Sequence, residues 1–334
     1  MRRLTPAARG VLLTIALLLV FSWTLMALVL VPNEASLGTA ATGVGMAVTA
    51  FLLGVRHAFD ADHIAAIDNT SRKLTDDGKD PSGVGLWFAL GHSTVVVVAV
   101  GLVTAGVGAL TAQLGADDSP LVVVTGVWGP TVSSLFLLVM AAVNLWILVG
   151  LVRGRGVHDG RPRGGGPVSL MIGRLSATLD APWKLFIVGL LFGLGFDTAS
   201  TIAILVLAGG AGAALPWQAA MVVPLLFAAG MATCDGLNSI VTARIYRWSV
   251  DRPGRRRRYN IALMSISISV ALVVGVVGMC GVLVDTVGVG WGPVQAIAAT
   301  DLDVFGFVIV AVLLLAWAAS WAMSRRRRGV AFTP

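Results

Sequence analysis

Charge is what this chain has least of. Only 12% of its 334 residues are charged, against roughly 25% in a soluble globular domain, while 57% are hydrophobic and the mean hydropathy is +0.88. That excludes an ordinary water-soluble enzyme, whose apolar runs are short strands or one-sided helices. Cysteine is almost absent too: Cys234 and Cys280 form no Cys-x-x-Cys pair, which argues against a zinc knuckle or a redox dithiol and leaves two small buried residues. No Gly-x-x-x-x-Gly-Lys-Ser/Thr loop occurs, so the chain does not read as an ATPase and no ATPase subunit is required.

What is present is a series of long apolar runs, at 11–32, 41–68, 84–111, 122–151, 184–211, 217–243, 262–289 and 304–323. A run of about 20 apolar residues crosses the hydrocarbon core as a helix, because all its backbone groups are then satisfied internally. The expected fold class is an all-α integral membrane protein with eight transmembrane helices, one transporter domain over 1–334. Helices 1–4 occupy 11–151, a basic cytoplasmic loop 152–183, and helices 5–8 occupy 184–323. The first run follows a basic start like a signal peptide, but its apolar core is too long and lacks a cleavage site, so it reads as a retained helix. Gly126, Gly129 and Pro130 mark a kink or boundary in the fourth run.

The basic residues test this count independently. With both termini cytoplasmic, the inner regions hold Arg2, Arg3 and Arg9, then Arg72, Lys73 and Lys79, then Arg153 to Arg174 with Lys184, then Arg244 to Arg258, and finally Arg325 to Arg328. The opposite side has no Lys or Arg and carries Glu34, Asp117, Asp118, Asp285, Asp301 and Asp303. Losing or inventing one span would scramble this separation. The net charge of +7 is accounted for by topology and anionic membrane lipid, with no nucleic-acid partner. Localisation in the cell inner (cytoplasmic) membrane is expected.

Against this apolar background the stretch from Leu52 to Asn69 stands out, with Arg56, His57, Asp60, Asp62, His63 and Asp68. Charged groups inside a bilayer cost several kcal/mol and need partners, a ligand or a wet cavity. On one continuous helix His57, Asp60 and His63 fall within about 120° of arc, with Asp62 on the flank unless the helix unwinds. Imidazole with carboxylate suits borderline ions such as Ni2+, Co2+ or Zn2+. The alternative is neutral histidines bridging helices, with aspartates at the lipid interface near Asp68. His92, beside Gly91, Ser93 and Thr94, can complete the site from the third span, or is structural. Asp60, Asp197 in the fifth span, and Asp235 with Asn238 in the sixth are candidates to hydrogen-bond the ligating imidazoles or to line the ion's path, or are hydrogen-bonded structural groups. His158 lies in the basic loop and receives no role.

The stretches RHAFDADHI (56–64), LGHSTVV (90–96) and LGFDTAS (194–200) together resemble the nickel/cobalt transporter family, eight-helix permeases that take up Ni2+ or Co2+. The resemblance implies metal recognition by His57, Asp62 and His63, transport roles for His92 and Asp197, no resident cofactor, and Ni2+ and/or Co2+ as transported substrate. This chain departs from the family pattern with Thr201 where Glu is common, and with Gly236 and Asn238 in the sixth-helix motif that keeps Asp235.

Import by alternating access is therefore expected, with divalent-metal efflux as the alternative because relatives include efflux proteins. A membrane-bound acyltransferase would use His57 and Asp62 as a catalytic pair, but leaves the polar residues of the third, fifth and sixth spans unexplained. A metal sensor would use the same ligands without flux. Ni2+ against Co2+ preference and homo-oligomer formation are not determined by the sequence.

Overall fold

The computed structural model describes residues 4–30, 43–105, 119–152, 179–195, 217–250 and 253–301, and every regular element among them is helical. Helix α1 (Pro6–Leu25) starts on Thr5, whose side chain accepts from the Ala8 N–H at 3.1 Å, with proline at the first helical position. It continues as a π turn, Met26–Leu30. Its buried residues Ala8, Val11, Ile15 and Ser22 lie opposite the exposed Leu13, Leu17, Val20 and Phe21, an outward apolar stripe suited to acyl chains.

Next come α2 (Gly43–His57), α3 (Ala61–Asp76), α4 (Val84–Thr104) and α5 (Pro120–Val152). A 3-10 turn, Pro182–Lys184, leads into α6 (Leu185–Gly193), followed by α7 (Trp217–Ala220), α8 (Val222–Val250), α9 (Pro253–Val287) and α10 (Gly292–Ala298). Among the described residues, five stretches are long and apolar enough to cross a membrane, Pro6–Val29, Val84–Thr104, Pro120–Gly150, Trp217–Arg244 and Met264–Val287, and α2 with α3 makes a sixth if the bent pair is one span. The chain is thus a multi-pass membrane protein. The eighth expected run, the second half of the fifth and most of the basic loop, with His158, lie outside the described residues.

Two expectations are corrected. The second span is not one continuous helix: it bends by 56° between α2 and α3, so His57, Asp60 and His63 do not share one helix face. The fourth span does run as one helix through Pro130. Nearby hydroxyls return hydrogen bonds to its backbone, Thr131 Oγ1 donating to the Val127 carbonyl at 2.6 Å, as membrane helices with proline commonly require.

The lower half of the broken span is polar yet buried. Asp68, Asn69, Thr70, Ser71, Arg72 and Lys73 are all buried on α3, so Arg72 and Lys73, read from the sequence as part of the inner region after the second span, lie within a helix. Asn69 Nδ2 donates to the Ala65 carbonyl at 2.8 Å and its Oδ1 accepts from Asn144 Nδ2 of α5 at 2.7 Å. Asp68 Oδ2 accepts from Ser267 Oγ of α9 at 2.6 Å. These bonds replace the water that a buried polar group loses, and tie three helices together.

The helix end is equally local. Asp77 closes α3, Gly78 takes φ +74°, and the Lys79 N–H donates to the Leu74 carbonyl at 2.8 Å, a glycine C-cap. Lys73 Nζ reaches Asp77 Oδ2 and the Leu179 carbonyl, both at 2.9 Å. Lys79 contacts Asp180, and the Lys184 hydrogen bond holds the Asp180 carboxyl below the usual carboxylate range. The α3–α4 turn is thereby fastened to the segment that opens α6.

Helix approach is set by glycine. A Cβ on Gly54 would strike the Phe227 carbonyl of α8, and one on Gly230 would strike the Phe51 carbonyl of α2. Gly91 and Gly189 make the same reciprocal contact between α4 and α6, and Gly85 lies against the Asp235 carbonyl. Small residues let backbones meet where the solvent is lipid. We predict that Gly54→Ala lowers the thermal stability of the purified protein by about 1–3 kcal/mol, while Gly126→Ala, whose Cβ meets nothing within 4 Å, leaves it unchanged; equal melting of the two variants would refute the close-contact reading.

Candidate metal centre

The break between α2 and α3 builds the centre. Helix α2 stops at His57, and the chain turns through Ala58, Phe59 and Asp60, with Phe59 N–H bonding the Arg56 carbonyl and Asp60 N–H bonding the His57 carbonyl. Asp60 occupies the N-cap position of α3 in an extended conformation, but its side chain does not cap the helix. It turns back to His57, with Oδ2 lying 2.7 Å from Nδ1. Asp62, in the first turn of α3, accepts from the His63 backbone N–H at 2.9 Å, where the positive end of the helix favours an anion. Arg56 lies on the exposed side of the last turn of α2.

Three imidazoles converge at this break. His57 Nε2 is 3.0 Å from His92 Nε2 of α4, and one ligand nitrogen from each of His57, His63 and His92 falls within 4.8 Å of the others. With Nδ1 of His57 donating to Asp60, its Nε2 presents a lone pair, and the short contact to His92 requires the proton of the other ring. A divalent cation can take the place of that proton, since three neutral imidazoles at such separations form a donor set for a borderline transition metal.

The second carboxylate comes from α8. Asp235 Oδ2 is 3.8 Å from His63 Nδ1, too far for a hydrogen bond, and neither Asp235 oxygen has a hydrogen-bond partner among the described residues although the side chain is 1% exposed. A buried carboxylate in that condition is costly unless a cation is nearby. His63 and His92 are equally enclosed, whereas the His57 and Asp60 side chains are 16% and 26% exposed, which makes their side the open one.

Aromatic rings form the wall. Phe88 lies 4.8 Å from His63, Phe227 lies 5.7 Å from His57, and Phe192 of α6 packs edge-on against Phe88 at 5.3 Å, all between ring centroids. The α6 backbone also reaches the centre, since a Cβ on Gly193 would come within 2.7 Å of the His92 carbonyl. His92 is therefore held between α6 and the break by the close α4–α6 approach.

The structure brings together His57, His63 and His92, with Asp60 on one imidazole and Asp235 beside another. Asp62 sits next to His63 but engages backbone. The hydrogen-bonded carboxylate of His57 is Asp60 rather than Asp62, so the pairing an acyltransferase needs is not the one formed. Asn238, one turn beyond Asp235 and half-buried, meets Thr242 Oγ1 at 3.4 Å rather than the imidazoles. Asp197 falls outside the described residues. Sequence reasoning missed the phenylalanine wall, which has no signal among so many apolar residues. It also missed Asn144, for which a lone amide inside the apolar stretch 137–152 was a usable sign. Cys234 and Cys280 are free and only half-buried.

A profile of the high-affinity nickel-transport protein family matches residues 43–323. The chain is 43% identical over 310 residues to the nickel transporter NicT of Mycobacterium tuberculosis, covering 89% of this chain and 82% of that one. It is 38% identical to the nickel transporter NixA of Staphylococcus aureus, with 84% and 86% covered, and 36% identical to the cobalt transport protein NhlF of Rhodococcus rhodochrous, with 82% and 80% covered. No solved structure matches the chain. With a histidine centre inside an apolar helical bundle and a profile match running from the start of α2 past the last described helix, the chain belongs to the high-affinity nickel-transport protein family.

Proposed function

We propose that this protein is a secondary transporter that imports Ni2+ and/or Co2+ across the cytoplasmic membrane, and that His57, His63 and His92 hold the ion in transit. The observation that carries the reading is the three-imidazole cluster at a helix break with two carboxylates set against it. Names of relatives specify nickel and cobalt, and nitrogen donors favour these ions over Mg2+ or Ca2+. Eight spans with both termini inside is the topology we adopt. The separation of Lys and Arg supports it, as do the contacts of Lys73 with Leu179, Lys79 with Asp180 and Ser239 with Ser82, which join segments that this topology puts on one face.

A hydrated ion entering on the His57 side exchanges water for imidazole nitrogens. Asp60 orients His57 through Nδ1 and keeps Nε2 available, while Asp235 supplies negative charge beside His63. Two carboxylates offset a dication without placing both in its coordination shell. Asp62 is the candidate fourth ligand, since releasing the His63 N–H frees a carboxylate oxygen. Asp197 and Asn238 are assigned to the pathway, on sequence grounds for the first and position along α8 for the second.

Uptake of radiolabelled Ni2+ and Co2+, in competition with Zn2+ and Mn2+, is predicted to be selective in cells expressing the chain. We predict its loss, by about a hundredfold or more, in His57→Ala at matched membrane levels. Lower metal in expressing cells than in empty ones would instead indicate efflux. Asp60→Asn is predicted to weaken binding by about 10–100-fold with the helices intact by circular dichroism; unchanged affinity would remove its orienting role. Calorimetric Ni2+ titrations in buffers of different ionisation enthalpy are predicted to show growing proton release and weaker binding as the pH is lowered, because protons compete for the imidazole nitrogens. Binding that does not weaken as the pH is lowered would count against imidazole ligation of the ion.

A further inference from the structure

Short sequences around the centre recur. Phe88-Ala89-Leu90-Gly91 with Thr94, on α4, returns as Phe227-Ala228-Ala229-Gly230 with Thr233, on α8. Phe59-Asp60 with Ala66 and Ile67 returns as Phe196-Asp197 with Ala203 and Ile204, and the two intervals differ by only two residues. Phe51 and Gly54 of α2 find counterparts at nearly the same interval in Phe186 and Gly189 of α6. Taken singly these are weak, because phenylalanine, alanine and glycine are common in apolar helices.

Geometry makes them a set. Thr94 Oγ1 donates to the Leu90 carbonyl at 2.7 Å, and its counterpart Thr233 donates to the Ala229 carbonyl at 2.6 Å. The Gly54–Gly230 crossing of α2 with α8 becomes the Gly189–Gly91 crossing of α6 with α4 when each residue is replaced by its counterpart. Helix α2 stops at His57 and α6 at Gly193, each just before its Phe-Asp pair.

The directions are opposed. Gly83 lies by Pro182 and Gly193 by Val95, so α6 runs with α4. Ser239 Oγ donates to the Ser82 carbonyl at 2.8 Å, and Gly101 lies 3.7 Å from Met221 Sδ at the far end, so α8 runs against α4. Gly54 lies by Phe227 and His63 by Asp235, so α2 and α3 run with α8. Helix α6 is therefore antiparallel to its counterpart α2, and α8 to its counterpart α4. Midway between the two α4–α8 contacts, Gly91 falls level with Gly230, the two glycines that the recurrence equates. A two-fold axis between equivalent helices requires that register.

We infer that α2 with α4 and α6 with α8 are the two halves of an inverted repeat, and that the ion passes as the α2–α8 pair rocks against the α4–α6 pair about the level of Gly91 and Gly230. This rests on the transport reading. Each pair moves as a unit because its crossing is reciprocal, a glycine of each helix lying against a carbonyl of the other, whereas between α4 and α8 such a contact is made from one side, at Gly85, and near one end. The centre straddles the units, with His57, His63 and Asp235 on one side and His92 on the other. The ends of the α4–α8 contact are unequal: at one, Gly85 meets the Asp235 carbonyl and Ser82 is bonded to Ser239, while at the other Gly101 meets only the tip of Met221. Rocking exchanges these conditions between the ends.

The test uses the full chain with Cys234→Ala and Cys280→Ala, carrying either Ser82→Cys with Ser239→Cys or the counterpart pair Val100→Cys with Met221→Cys. Ni2+ uptake into proteoliposomes is measured reduced, oxidised and re-reduced, and disulfide formation in purified protein is timed with and without Ni2+. Each disulfide is expected to cut uptake by about tenfold or more, reversibly, and Ni2+ is expected to change the two rates in opposite senses. Unchanged uptake with either disulfide formed, or rates that move together, overturns the repeat mechanism. A cysteine-free parent that takes up no Ni2+ would instead defeat the transport reading, and the rates of disulfide formation judge the repeat separately, including where a reduced variant is inactive.

Discussion

The hydrogen bond between His57 Nδ1 and Asp60 holds the place where a membrane helix stops, and the centre follows from it. Ending α2 inside the bundle leaves backbone groups unpaired on both sides of the break. Tight turns through Ala58–Asp60 take up several of them, and Asp62 takes the His63 N–H at the start of α3. The carboxylates that make the break tolerable also orient one imidazole and add the negative charge a dication needs. A continuous helix would satisfy its own backbone and leave those carboxylates without a task.

Around the break, two kinds of contact do different jobs. Glycine crossings at Gly54, Gly91, Gly189 and Gly230 bring backbones together with no side-chain hydrogen bond involved, and set how near His92 comes to His57. Side-chain hydrogen bonds donated by Ser267 and Asn144 to Asp68 and Asn69 anchor the polar half of the span to α9 and α5. The first are unforgiving of any added atom; the second depend on complete pairing. The Asp235 carboxylate, buried with no hydrogen-bond partner among the described residues, lies beside the imidazoles where a cation would complete it.

Much of the site was legible because polar residues are rare in apolar sequence. His57, His63 and His92 could be nominated together, and the structure brings them together. Asp235 was legible as a lone acid in the sixth run, though its partner was not. What escaped was a matter of path rather than composition. Residues 57–63 fit a helical period and also a broken span, and period alone does not distinguish them. Arg72 and Lys73 read as part of the inner region between two spans, and nothing in their neighbours announces that Asp77 and the Leu179 carbonyl will take up the ammonium of Lys73.

By itself, the sequence determined the helical class, the membrane environment and the candidate donors, because low charge and long apolar runs leave few other ways to satisfy a backbone in lipid. It also determined where backbones can touch, through the positions of glycine. Tertiary structure alone decided that α2 ends at His57, that Asp60 rather than Asp62 bonds that imidazole, and that Asp235 faces His63. These depend on which helices lie side by side and at what distance, and contacts between residues far apart in the chain follow from packing rather than from any local pattern.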